Sequence, residues 1–576
     1  MRAGSVLAVR LLAGGVFGLA TACASGNGGS NGLTITTVFR SGDPAPGLPG
    51  LTIAARGGAQ SINDAGVVLA TANLGGPDVG FSTDGALIAR SGGVLTLIAR
   101  ENDPVAALPT HAYRSTNINT TGFSELIVTQ GGTLGFMAEM LEVATSSFGL
   151  RGSFSGPVGG TAPVLYEGAP APGFPGSTYS RYTPRASLRD GRSLLLGRVS
   201  PENYNVLYFG TPGNVTAALQ TQQQAPGLPI GINISSFGDD SMGMDGLGNV
   251  LFWAALPLGS GVNQSNRVVL YHGPPNNVGI VARTGDSVPG LGGAVFTNLV
   301  SDSLRMNTAG AYCYQAWVSG GGTDEAIISC GGGQCFVLAK DGDPVPGEPG
   351  LTLDRVARSH IDMNGLGRVA FACVLAGAPF TSDSAIFIAG PGGIEMVLRE
   401  GDVMPDGAVV RDLQGARWFF NDREQFVVQL TVNDRAALYA SRPDGSWIKL
   451  LRMSEAFFTS DGFSGVLHPT AGYSFDFAAR SGSGSGTSFF NNSGELVLSV
   501  LATGSTGSGV FILDIDDPCP ADFAEPLSVL NFFDIAAYIG LYGAGDDCAD
   551  FAAPFGVLNF FDISAYITAY NAGCPD

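Results

Sequence analysis

The chain has 576 residues, a formal net charge of −20, 45% hydrophobic residues and only 14% charged ones. This is too long for one ordinary core unless the core is built from repeats. So few basic residues on an acidic chain exclude a polyanion binder, so neither nucleic acid nor an anionic membrane surface is an expected partner. The 85 glycines beside abundant apolar residues indicate many tight turns between strands rather than disorder.

In chain order, residues 1–24 read as an export signal. Arg2 precedes a short apolar stretch from Leu11 to Ala20, and "ACA" at 22–24 offers a small-x-small cleavage site. Cys23 allows a second reading as a lipoprotein cysteine. Residues 25–32 form a flexible linker, and no later stretch reads as a transmembrane helix. The expected location is secreted or at the cell surface.

Residues 33–515 read as a repeat domain. A phrase recurs as "RSGDPAPG" from Arg40, "RENDPVAA" from Arg100, "RTGDSVPG" from Arg283, "KDGDPVPG" from Lys340 and "REGDVMPD" from Arg399. Between its copies lies an Asn/Asp-Gly phrase followed by an apolar run. It starts at residues 63, 119, 189, 245, 307, 364, 421 and 491, a period of roughly 55–70 residues that signals an array of supersecondary units. Each unit holds four strand-like runs, such as "LTLDRVARSHI", "GRVAFACVLA", "SAIFIAG" and "IEMVLRE" near residue 350. The Asn-rich phrase is the hairpin between the first and second strands, where Asn and Gly supply positive φ. The opening phrase is the turn from a fourth strand into the next unit.

Eight such units predict an all-β, eight-bladed β-propeller. The last unit lacks a fourth strand, whereas "LTITTVFRSGDP" at 33–44 is a fourth strand with no unit before it. Pairing it with 509–515 closes the ring and removes the open edge.

The turns share one expected face, and a charge pattern rides on them. Asp43, Asp103, Asp286, Asp343 and Asp402 each follow a basic residue by three positions. They are either local caps and ion pairs or a ring of carboxylates for a cation or a polyhydroxylated ligand such as a glycan. Trp253 and Trp317 are expected in the core. In an oxidising compartment Cys330 and Cys335, flanking "GGGQ", are disulfide candidates, as are Cys519 and Cys574. The four histidines are scattered, and the chain holds no Gly-x-Ser-x-Gly elbow, His-Glu-x-x-His or phosphate loop. No catalytic residue or organic cofactor is assigned.

Residues 516–576 differ. "VLNFFDIAAYIGLY" (529–542) and "VLNFFDISAYITAY" (557–570) match at 11 of 14 positions, each after an "ADFA", and their apolar residues recur at helical spacing. This duplicated loop-helix unit, bounded by Cys519 and Cys574, resembles a dockerin, and more narrowly the Cys-bounded dockerin-like tails of exported bacterial proteins. The preceding repeats resemble more loosely the Asn-x-x-Gly tandem repeats found upstream of such anchors. The resemblance implies attachment to a cohesin-like or cell-surface protein. It also implies calcium, with Asp522, Asn531 and Asp534 in one loop and Asp550, Asn559 and Asp562 in the other. The centre of each loop departs from the family pattern, carrying Pro526 or Pro554 where polar ligands are expected. The alternative reading of the Asp and Asn residues is helix capping. Tyr538 and Tyr566 are the expected partner contacts. Two functions follow: a non-catalytic extracellular binding or scaffold protein, or a secreted carbohydrate-active hydrolase or lyase with a propeller catalytic domain.

Overall fold

A computed structural model describes residues 33–54, 60–80, 83–114, 123–144, 147–189, 191–356, 361–411, 413, 416–432, 435–442, 445–459, 464–466, 489–500, 508–515, 530–544, 549 and 558–572. The chain divides into two compact units. One is residues 35–458 with 464–516; the other is residues 1–34, 459–463 and 517–576.

The larger unit is an eight-bladed β-propeller of antiparallel sheets. Blades 1 to 7 span residues 52–100, 104–166, 178–220, 236–283, 295–340, 352–399 and 417–452. Blade 6 shows the plan. Its strands Val369–Ala376, Ser384–Gly390 and Gly393–Arg399 pair in order, and the first strand arrives as two pieces, Thr352–Asp354 and Ile361–Met363, both paired to the second. The sequence reading took that strand as continuous. The turn fixes where each first strand begins: Pro44, Pro170, Ser287 and Pro344 each bridge to the residue eight positions on, which starts the next first strand.

Burial follows position in the blade. Ser384–Gly390 is buried throughout, while the outer Gly393–Arg399 is half-exposed. A strand covered on both faces needs a continuous apolar run, and an edge strand does not. The core therefore lies between blades. Ala370, Ile386 and Leu398 of blade 6 pack on Trp418, Val428 and Tyr439 of blade 7.

The ring closes as the sequence predicts. Blade 8 is ordered Thr34–Arg40, Gly509–Asp514, Glu495–Val500. Ser41 N–H donates to Ser508 O at 2.8 Å. Phe39 and Ile512 share a core with Ile53, Val68 and Ile88 of blade 1. Any Cβ at position 509 would strike the Phe39 carbonyl, so only glycine lets the closing strand approach.

One hairpin was misplaced. In blade 2 the turn between first and second strands is Thr129–Gly132, joining Phe123–Val128 to Leu134–Glu142. The run "FSELIV" is therefore the end of the first strand, and Asn119 does not begin the hairpin. Two apolar-rich runs separated by glycines offered two choices of turn, and the weaker Asn signal misled. The Cys330–Cys335 disulfide is present, its residues directly opposite in a strand pair with Cα atoms 4.1 Å apart. Cys313 and Cys373 are buried thiols. Cys23, Cys519 and Cys574 lie outside the described residues.

In the smaller unit, helices α1 (Phe532–Ala544) and α2 (Phe560–Ala572) match the duplicated segment. Their core centres on Tyr538 and Tyr566, whose rings stack at 3.8 Å and 1°. Among the described residues no helix is long and apolar enough to cross a membrane.

Candidate functional site

The turn phrase is a clamp within each blade. Asp43, Asp343 and Asp402 each accept the backbone N–H of the basic residue three before them, at 2.8, 3.0 and 2.7 Å. The basic side chain then reaches another loop: Arg100, Arg283 and Arg399 donate through Nε to Thr83 O, Asn266 O and Ser382 O at 3.2, 2.7 and 3.0 Å. The residue between them caps the third strand. Glu101 accepts Gly85 N–H at 2.9 Å, and Thr221 and Thr284 accept from Asn205 and Val268 at 3.0 and 3.1 Å. Ion pairs close three of the turns among the described residues, Arg40–Asp43 at 3.5 Å, Lys340–Asp343 at 2.9 Å and Arg452–Glu455 at 3.5 Å. Asp103 and Asp286 complete the backbone turns begun at Arg100 and Arg283. Burial raises the Asp103 carboxyl and Arg100 lowers it. Each carboxylate is placed in its own turn, and among the described residues no group of three or more His, Cys, Asp or Glu forms a metal site.

The Asn phrase has a second job that the sequence reading missed. Asn491 donates through Nδ2 to Asn63 O at 2.8 Å, Asn63 to Thr129 O at 2.9 Å, Asn364 to Asn421 O at 3.2 Å and Asn421 to Asn491 O at 3.0 Å. Asn307 reaches Gly365 O at 3.0 Å. Each Oδ1 meanwhile accepts N–H groups of its own turn, as Asn491 does from Ser493 and Glu495. The side chain thus closes its hairpin and ties it to the next blade. Positive φ falls not on Asn but on the fourth residue, Gly66, Gly310, Gly367 and Gly494, with Glu424 in blade 7. The missed signal was that five of the phrases carry Asn where Asp, as at Asp245, caps the same turn; a carboxylate has no donor to give the next blade.

Two buried charge groups were also unforeseen. Arg305 faces Asp362 across blades 5 and 6, and burial lifts the Asp362 carboxyl to about 6 against the pull of Arg305. Glu101 is lifted to about 7 by burial, with Asp84 adding to the rise. Trp253 is buried as expected, but Trp317 is half-exposed.

In the smaller unit, Asn531 and Asn559 accept from Phe533 and Phe561 N–H at 2.8 Å, while Asp534 and Asp562 accept from Asn531 and Asn559 N–H at 2.7 and 2.6 Å. These are reciprocal helix caps, and both Asp residues are fully buried. Asp522 and Asp550 lie outside the described residues. Tyr538 and Tyr566 are buried rather than presented to a partner, because stacking on each other fills the gap between the helices. The exposed residues are Phe532, Phe533 and Ile539 with their duplicates Phe560, Phe561 and Ile567, each 51–73% accessible. A groove of about 450 Å³ runs between the helices, lined by Ile539, Tyr542, Ile567 and Tyr570 among others.

The fold defines a repeat propeller closed by its own N-terminal strand. The chain belongs to the family described as "Family of unknown function (DUF7453)", matched over residues 24–199, 159–327 and 301–519. No curated protein matches it. Among solved structures it is similar to a Mycobacterium tuberculosis puromycin-hydrolyzing peptidase, at 11% identity and a TM-score of 0.32 over 72% of this chain and 56% of that one. It is also similar to a PL25 ulvan lyase, at 11% and 0.30 over 84% and 96%, and to the GH93 alpha-L-arabinofuranosidase of Fusarium graminearum, at 10% and 0.26 over 56% and 90%. The chain spans about half the length of the peptidases it matches. Likeness this distant carries nothing about activity.

Proposed function

We propose that this is an exported, non-catalytic binding or scaffold protein whose C-terminal dockerin-like unit attaches it to a protein at the cell surface or in an extracellular complex. The large apolar side chains of Phe532, Phe533, Ile539, Phe560, Phe561 and Ile567, left exposed on the two helices, carry this reading. Large apolar side chains left in water on a small unit are candidates for contact with a partner. The propeller supports the scaffold role, since its repeated phrases spend their polar groups on turns and inter-blade ties. A glycan on the turn face remains part of the proposal, with Trp317, half-exposed near the end of the strand Tyr312–Ser319, as its contact. No described feature favours the carbohydrate-active enzyme.

Calcium is proposed at the two loops. Buried Asp534 and Asp562 suit a hard cation, but one oxygen of each already accepts a backbone amide, as do Asn531 and Asn559. Calcium takes six to eight oxygens, so Asp522 and Asp550 would have to contribute.

Truncation after Asp517 tests the attachment. The shortened protein should keep its melting temperature and lose association with the cell surface or complex. A fall of many degrees with association intact would overturn the reading.

A further inference from the structure

We propose that the ring is shut by two latches that open in a fixed order: the N-terminal strand Thr34–Arg40 is a strap that lifts first, while a hairpin latch at Asp64 stays closed. The residue after the opening Asn of each phrase builds the latch. The backbone N–H groups of Asp64, Gly365, Asp422 and Asn492 donate to the side chains of Gln130, Asp422, Asn492 and Asp64, each in the next blade. The last of these crosses the seam from blade 8 to blade 1 and joins residues 428 positions apart. Four bonds among the described residues meet there. Asn491 Nδ2 donates to Asn63 O at 2.8 Å, Asn492 N–H and Nδ2 donate to the two oxygens of Asp64 at 2.8 and 3.1 Å, and Ser493 Oγ donates to Asp64 O at 3.1 Å. The seam is therefore tied as the joints between consecutive blades are, with no atom of the strand taking part. The strap holds the opposite end of blade 8. Ser41 N–H reaches Ser508 O beside Gly509, the partner of Val500, whereas the latch lies just before Glu495 at the start of the same strand. The strap is the weaker hold. It pairs with one strand only, and four of its seven residues are half-exposed. The latch uses both oxygens of a carboxylate, whose hydrogen bonds are roughly twice as strong as neutral ones, and Asn63 and Asn491 are buried. With the strap lifted, the edge of Gly509–Asp514 is bare but the ring is still closed. The strap runs directly into blade 1, so it re-docks by a short local search as long as Asp64 keeps blade 8 in place.

Amide hydrogen exchange on the full chain, read by mass spectrometry on peptides covering 34–40 and 489–495, separates the possible orders. In the wild type the strap peptide should exchange at least about tenfold faster than the hairpin peptide. Asp64→Ala removes both carboxylate bonds and should speed the hairpin peptide at least about tenfold. It should leave the strap peptide unchanged, because lifting the strap does not include opening the latch. Phe39→Ala, which loosens the strap, should speed both peptides by the same factor, because opening the latch includes lifting the strap. If Asp64→Ala does not fold, Ser493→Ala removes one of the four bonds and should speed the hairpin peptide alone by about threefold. Equal rates in the wild type, with both peptides faster in Asp64→Ala, would mean a single clasp and overturn the inference. A hairpin peptide faster than the strap peptide would reverse the order and overturn it too. A Phe39→Ala effect confined to the strap peptide would make the two latches independent, which also overturns the fixed order.

Discussion

Asn421 shows how much one side chain does here. Its Oδ1 accepts N–H groups from Arg423 and Gln425, and its Nδ2 donates to Gln425 Oε1 at 2.8 Å and to Asn491 O in the next blade at 3.0 Å. Asn421 itself is buried, where a polar group left without a partner costs about 1–3 kcal/mol. Asn421→Asp keeps the turn cap and removes the donor. Urea unfolding should show a loss of about 1–3 kcal/mol; an unchanged midpoint would contradict the staple. Glu101 makes a prediction of opposite sign. Its folded pKa near 7 lies above the ordinary 4.5, because burial disfavours the anion. The folded state therefore holds a proton that the unfolded state has released, and stability falls as pH rises from 4.5 through 7. Glu101→Gln keeps an acceptor for Gly85 N–H and cannot ionise. It should melt close to wild type at pH 4 and be stabilised at pH 8, by on the order of 1 kcal/mol. A destabilised variant at pH 8 would show that the charge is welcome there.

At the scale of elements, the closing strand Thr34–Arg40 is the most exacting. It supplies the outer edge of blade 8 and packs Phe39 into the core shared with blade 1. Deleting residues 33–40 should expose the edge of Gly509–Asp514 and lower the melting temperature of the whole ring, with aggregation. A localised loss confined to blade 8 would argue that the ring does not close cooperatively. Most of this level was legible in the sequence. Hairpin glycines, apolar runs and the orphan strand at 33–44 gave the blades and their closure, because turn chemistry and burial are local properties. The split first strand was not legible in blade 6, where residues 355–360 hold no Gly or Pro to mark a break. The blade 2 hairpin at Thr129–Gly132 was lost to a nearby Asn-Thr-Thr-Gly. The inter-blade Asn ties were invisible for a different reason: they join residues 57 to 428 positions apart, and no local signal names the recipient carbonyl.

For the whole molecule, the expected partner contacts are the core of the smaller unit. The composition change near residue 517 coincides with the division into two units, yet Tyr538 and Tyr566 turned out to be the core of the smaller one. Periodicity could place them on a helix but could not say that two equivalent rings would stack face to face and leave Phe533 and Phe561 outside. The consequence is a protein whose repeated phrases serve its architecture and whose two short helices each expose three large apolar side chains, besides those scattered over the propeller. In the function proposed above, these exposed side chains attach the protein to its site of action. The most direct measurement is the fraction of full-length Phe533→Ser/Phe561→Ser protein that stays with the cell surface or extracellular complex. Release into the medium is expected, with the melting temperature of the propeller unchanged. Retention equal to wild type would contradict it.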